Sequence, residues 1–202
     1  MTTRMTGDKR REAILDCAIR LFAAKGFRGT TTRELAAAAG VSEPVLYQHF
    51  HNKQAMYTAI IESKAREGHQ RIAAIFDRYK ATRDDRAVLT DLANGILDRY
   101  ERDPEYVRLL LYSALERHEL AGEFFERQLV HLYDVLAGYL RARMRAGAFA
   151  AMDPNAAARL FLGMVNHHGL VRTLFKDTIV KTGRKNLVGA MVRTFLRGMA
   201  KA

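Results

Sequence analysis

Residues 31–56 read TTRELAAAAGVSEPVLYQHFHNKQAM, a run that holds three helix starts and one tight turn. Thr31 followed by Glu34 is a capping box, in which a hydroxyl and a carboxylate satisfy each other's free amides at a helix start. A short helix is expected over about 32–39, and Gly40 ends it because glycine enters the left-handed region without steric cost. Ser42 stands where it caps a second helix, with Pro44 in a first turn whose amides have no intrahelical partner. That helix carries Val45, Leu46, Tyr47, His49 and Phe50, and Asn52 caps a third start at Lys53. Two short helices joined by AGVS have the proportions of a helix-turn-helix, although any helical hairpin shares them. Val41 is the apolar residue such a turn buries, and Ala36 and Ala37 are small enough for close helix packing.

Upstream, Ile14, Ala18, Leu21 and Phe22 recur at helical spacing, which predicts a helix over about 9–24 stopped at Gly26. Downstream the period stays helical, and no stretch alternates as a strand does. Helices are expected at about 69–80, 85–102, 104–119, 122–146, 154–177 and 184–200. Asp103-Pro104 and Asp153-Pro154 separate them sharply, since proline disfavours helix at the preceding residue and suits the first turn of the next. The expected fold is all-α. A three-helix head over 1–52 joins, through a fourth helix from about 53, a larger helical body over 53–202.

The composition, 49% hydrophobic and 27% charged, is that of a soluble globular protein. No apolar run reaches the ~20 residues of a membrane helix, and the basic MTTRMTGDKRREAI start lacks the apolar stretch of a secretory signal. A single cysteine, Cys17, makes no internal disulfide, which suits a cytoplasmic protein, and its apolar surroundings mark it as core filling. The net charge of +11 favours an anionic partner. Residues 1–66 hold 11 Lys and Arg against 6 Asp and Glu, while the other 136 hold 22 against 16, so the charge is denser in the head.

Thr31, Thr32, Arg33, Tyr47, His49 and Lys53 flank one short helix and suit phosphates or base edges. Leu46, Phe50 and Met56 fall on its core side. His49 and His51 lie two apart, on different faces, with no cysteine or carboxylate cluster near, so no metal is expected. There is also no nucleophile elbow, glycine-rich phosphate loop or zinc-protease helix, so no catalytic residue is expected and the chain does not read as an enzyme.

The stretch resembles the DNA-binding motif of the tetracycline-repressor (TetR) family of bacterial regulators. The match is carried by Thr31-Thr32, Leu35-Ala36, Ala39-Gly40-Val41-Ser42, Leu46-Tyr47, His49-Phe50, Lys53 and Met56, and by the upstream LFAAKGFRGTT. The resemblance implies phosphate contacts for Thr32, Tyr47, His49 and Lys53, and base-edge positions for Arg33, Glu43, Pro44 and Val45. The chemistry agrees for Arg33, which is able to donate two hydrogen bonds to guanine, and for Pro44 or Val45 against a thymine methyl. Glu43 either accepts from a cytosine amine or only complements the helix dipole. For Tyr47 a half-buried structural aromatic is the alternative.

A helix-turn-helix usually reads two half-sites through a dimer. Leu160, His167, Val171 and Leu174 on one late helix, and Val188, Val192, Phe195 and Met199 on the last, form apolar stripes expected to pair between chains. Gly163, Gly169, Gly189 and Gly198 would let those helices approach closely. Closure of the monomer's own core is the alternative. Tyr106, Leu110, Phe124, Phe125, Tyr133, Phe161, Met164 and His168 suit a ligand pocket, and equally a core. The small-molecule effector itself follows from the resemblance alone. No cofactor and no membrane partner are expected.

The expected function is a cytoplasmic, homodimeric repressor released from a near-palindromic DNA operator by a small-molecule effector, with the fourth helix transmitting the change. An activator, or a sequence-tolerant nucleoid-type DNA-binding protein, are the alternatives. A membrane-surface role for KTGRKNLVGAMVRTFLRGMAKA is a weaker one than a dimer seam.

Overall fold

A computed structural model describes residues 6–116, 122, 130–176 and 178–200. Among them the chain is helical, without a strand, in the order α1 (Gly7–Lys25), α2 (Thr32–Ala38), α3 (Glu43–His49), α4 (Lys53–Tyr79), α5 (Asp85–Arg102), α6 (Pro104–Leu115), α7 (His131–Arg145), α8 (Pro154–Phe175) and α9 (Arg184–Gly198). Side-chain caps mark several starts. Asn52 accepts from Ala55 N at 2.7 Å, Asp84 from Ala87 N at 3.0 Å and Asp153 from Asn155 N at 3.0 Å. Ser42 is the N-cap of α3, but its hydroxyl accepts no bond there. Pro44, at the second helical position, removes one of the two amides an N-cap side chain normally takes.

The chain packs as two compact units, one of residues 1–66 with 105–127, the other of 67–104 with 128–202. In the first, α1 contributes Ile14, Ala18 and Phe22, α2 Leu35 and Ala36, α3 Leu46, and α4 Met56, Tyr57 and Ile60 to one core. Tyr106 and Leu109 of α6 complete it. The rings of Phe22, Phe27 and Tyr57 pack with centroids 5.3 to 5.7 Å apart, and the Tyr57 hydroxyl donates to Leu109 O at 3.1 Å.

Helix α4 is one continuous element of 27 residues, where a separate helix from about 69 was expected. Its buried residues run from Met56 to Ala65 in the first unit, and beyond that Ile72, Ile75 and Phe76 are half-buried. The apolar face shifts along the helix without ending it, and just past residue 66 the Glu67–Arg71 pair at 2.9 Å, one turn apart, supports the same helix.

The second unit has its core in α5, α7, α8 and α9: Leu89, Leu92 and Leu97; Leu136 and Leu140; Phe161, Leu162 and Val165; Val188, Val192, Phe195 and Met199. The α9 stripe Val188, Val192, Phe195 and Met199, expected at a dimer surface, is at most 6% exposed within the single chain and packs in the unit's own core. One amphipathic helix has one broad apolar face, and α5 and α8 already cover it. On α8, Leu160 is 60% exposed and His167 exposed, while Val171 and Leu174 are half-buried.

Of the four glycines, only Gly169 is packed against a neighbour's ring: an added Cβ would lie 2.4 Å from Tyr100 Cδ2. The Tyr100 hydroxyl donates to Asn166 Oδ1 at 3.2 Å, and Asn166 Nδ2 donates to Leu162 O at 2.8 Å, so this amide on a largely apolar helix has partners on both its oxygen and its nitrogen. Gly169→Ala is expected to push the Tyr100 ring aside and destabilise the protein by roughly 1–3 kcal/mol, an overpacking cost. Urea unfolding checks this, and a loss below ~0.5 kcal/mol means that the ring moves freely.

Candidate nucleic-acid interface

The α2–α3 corner is built as the sequence requires. Gly40 adopts φ 65°, its amide reaches Ala37 O at 3.1 Å, and Val41 N reaches Ala36 O at 3.0 Å, turning the chain within a few residues. Ala36 and Val41 pack into the head core, whereas Ala37 is exposed. Cys17 is half-buried at the same place, its thiol donating to Ala38 O at 3.4 Å and accepting from Arg20 Nη2 at 3.2 Å.

The capping box at the start of α2 is complete. Glu34 N donates to Thr31 Oγ1 at 3.2 Å, and Thr31 N donates to Glu34 Oε2 at 2.8 Å. Lys25 Nζ adds a bond to Glu34 Oε1 at 2.5 Å. The lysine, then the Thr31 amide and hydroxyl, hold the Glu34 carboxyl down from its ordinary 4.5 to about 2. A depressed folded value means that this contribution is fully present above about 4.5 and is lost as pH falls towards about 2. Glu34→Gln is therefore expected to unfold at lower denaturant than the parent at pH 7. The gap should close between pH 4.5 and 2. A gap that is constant with pH would mean that the carboxylate's charge contributes nothing.

Helix α3 turns Leu46 inward at 1% exposure and Tyr47 outward at 47%. Pro44 and Gln48 are exposed beside Tyr47, and Val45 and His49 are half-exposed. Arg33 on α2 is exposed. Thr32 Oγ1 donates to Glu43 Oε2 at 2.9 Å, which joins the starts of α2 and α3 and gives Glu43 a protein partner. Lys53 is used inside the head: its ammonium donates to Phe27 O and Thr30 O, each at 2.7 Å, and lies 4.3 Å from the Phe27 ring centroid. Burial lowers its pKa, opposed by the Glu116 charge. Two of its three N–H donors are thus committed to backbone carbonyls.

The structure brings Thr32, Arg33, Glu43, Pro44, Val45, Tyr47, His49 and Lys53 into one region around α2, α3 and the start of α4. Gln48 was not expected there. It sits four residues after Pro44 on the exposed side of α3, a spacing legible in sequence, and its amide suits adenine.

The expected pocket residues that are described fall in both units. Tyr106 and Leu110 pack with the first unit's core, while Phe161, Met164 and Tyr133 belong to or line the core of the second. Phe124 and Phe125 lie outside the described residues. His168 lines a cleft between α5, α8 and the start of α9. Aromatic and thioether residues at helical spacing fill cores for the same reason they line pockets. Among the described residues no group of three His, Cys, Asp or Glu is placed to hold a metal, and no helix is long and apolar enough to cross a membrane.

A tight helix-turn-helix with a polar, outward α3, carried on a separate helical unit, defines a DNA-binding regulator. Residues 14–60 match the family described as bacterial regulatory proteins, tetR family, and residues 87–200 match the C-terminal domain of AefR-like transcriptional repressors. The nucleoid occlusion factor SlmA of Citrobacter koseri is 34% identical over 178 residues, spanning 84% of this chain and 86% of that protein. A TetR-like transcriptional regulator from Rhodococcus sp. RHA1 superposes with a TM-score of 0.77 at 19% identity, over 98% of this chain and 100% of that one. AibR, in complex with isovaleryl coenzyme A and operator DNA, superposes with a TM-score of 0.69 at 22% identity, over 92% of this chain and 97% of that one. The chain belongs to the TetR family of bacterial transcriptional regulators.

Proposed function

We propose that the protein is a homodimeric repressor that leaves a near-palindromic operator when a small-molecule effector binds. The observation that carries the reading is the outward face of α3, where Pro44, Tyr47 and Gln48 are exposed on a helix otherwise anchored by Leu46. In this reading Tyr47, His49, Thr32 and the third N–H of Lys53 meet phosphates, and Arg33, Pro44, Val45 and Gln48 meet base edges. Glu43, held by Thr32, orients α3 and accepts from a cytosine amine. The dimer forms on the side of α8 that the chain leaves open, around Leu160, Gly163 and His167, continued by Val171 and Leu174. The AibR complex, a protein of this fold holding both an acyl thioester and operator DNA, supports an effector for this chain as well. An effector that binds two head spacings with different affinity shifts the population between them.

Selection of random duplexes by the full chain tests this. A two-fold symmetric site, with half-sites about 34–36 Å apart, bound at least about a thousandfold more tightly than random DNA, is the expected result. Binding that ignores sequence overturns it.

The relationship to nucleoid occlusion factors favours a second reading, a DNA-bound factor that acts away from promoters. Genome-wide mapping separates the two. Sites at a few promoters support the repressor, and many sites dispersed along the chromosome support the alternative.

A further inference from the structure

The cleft that His168 lines belongs to the second unit and measures about 410 Å³, room for a small organic ligand. Its charge is lopsided. Arg184 reaches Asp98 Oδ1 at 2.7 Å, Glu101 Oε2 at 3.1 Å, Asn94 O at 2.6 Å and Asn94 Oδ1 at 3.3 Å. Its donors are therefore taken, and Glu101, the one carboxylate on the lining, is neutralised. Arg172 of α8 and Lys181 of the connection also line the cleft, and both are exposed. Neither makes an ion pair or a side-chain hydrogen bond among the described residues. Thr178 and Thr182 add hydroxyls between them.

Helix α9 begins on this cleft, and its start is unusual. The N-cap is Gly183, with no side-chain cap, and the first turn carries no acid but opens on Arg184 and Lys185. Helices normally place acids there, because the amino-terminal end is positive and its first amides lack partners. The Asn186 amide turns back to Gly183 O at 3.0 Å, so the Arg184 and Lys185 amides are the ones left without a cap, beside two free cations and hydroxyls at one concavity. The apolar part of the lining is Leu97, Val180 and the Tyr100 ring, whose hydroxyl is already engaged with Asn166.

We propose that this cleft binds a small organic oxyanion, a phosphate or carboxylate carried on an apolar or planar group. Arg172, Lys181 and the first amides of α9 take the oxyanion, and the remainder lies against Leu97, Tyr100 and Val180. A bare phosphate leaves most of the volume unfilled, which is why the ligand has a second part. The site stands whether or not its occupancy alters DNA binding.

Calorimetric titration of the full chain with phenyl phosphate is the test, with phenol as the uncharged counterpart. The expected result is one saturable site per chain, with phenol at least about tenfold weaker. Arg172→Gln combined with Lys181→Gln should weaken phenyl phosphate by about tenfold or more, since each removes a charge-assisted contact. Both positions are exposed, so the melting temperature should hold. Lys181→Glu alone provides a second variant with the same direction. Tyr47→Ala, in the head, should keep full phenyl phosphate affinity, and the double variant should keep full operator affinity, so a failure here and a failure of the repressor reading are distinct. Unchanged affinity in the cleft variants overturns the proposal, as does loss in Tyr47→Ala alone. Binding to phosphatidylglycerol vesicles without binding of phenyl phosphate overturns it too, because the surface would then be reading a lipid layer.

Discussion

Tyr47→Ala is expected to weaken binding to every DNA sequence by about tenfold, lower the salt slope by about one, and leave folding stability unchanged. The side chain is 47% exposed and outside the core of the head, so its removal leaves no cavity. Lys53→Met should behave differently. It keeps most of the aliphatic stem but loses two bonds to the Phe27 and Thr30 carbonyls and the contact with the Phe27 ring. Those carbonyls lie in the connection between α1 and α2, so the turn that positions α2 loosens. Stability should fall by roughly 1.5–3 kcal/mol, the range for hydrogen bonds to a charged group, together with about tenfold in DNA affinity. The double variant should lose about a hundredfold in affinity if the two contacts act independently. Fluorescence anisotropy across a salt series, beside thermal unfolding of the same samples, reads both quantities. If Tyr47→Ala binds DNA as the parent does, α3 is not the reading helix.

Lys53 shows what a sequence conveys and what it omits. Its place at the start of α4 was legible, because Asn52 is a strong cap and the spacing from Ser42 is fixed by local backbone chemistry. Its two carbonyl partners lie 23 and 26 residues earlier, and no local pattern announces a contact at that distance. The same division runs through the molecule. The capping box, the Gly40 turn, and the starts at Pro104 and Pro154 follow from a few neighbouring residues each. The assignment of apolar faces does not. The stripe on α9 is visible in the sequence, yet only the positions of α5 and α8 decide that it is consumed within the chain. Tyr106 and Leu110 read as body residues, but α6 packs into the first unit's core. The cleft was invisible because Lys181 sits in a polar connection that, as a sequence, marks only the end of a helix, while Arg172 reads as one more exposed cation of α8.

Asp85→Ala should produce the largest loss of stability, about 3 kcal/mol, lowering the melting temperature by roughly 6–12 °C for a chain of this size. Arg143 donates to Asp85 through Nε at 2.7 Å and Nη2 at 2.9 Å, a forked pair, and the Tyr139 hydroxyl donates to the same carboxylate. The two charged side chains are only 17% and 16% exposed, so solvent screens them weakly. Removing the carboxylate strands a guanidinium that little water reaches, and it also takes an acid from the first turn of α5. The cost comes from the orphaned charge more than from the lost pair. Asp85→Leu with Arg143→Met should accordingly recover most of the stability, since apolar groups of similar volume often replace a buried pair without loss. Tyr139→Phe should cost only about 1 kcal/mol. Burial first, then the bond to Asp85, raise the Tyr139 phenol above its ordinary 10. The sign follows: this contribution is complete below pH 10 and is lost as pH rises beyond it, a dependence that Tyr139→Phe should abolish. Were Asp85→Ala to melt within ~2 °C of the parent, Arg143 would have found water or another acceptor, and the forked pair would be a marker of geometry alone.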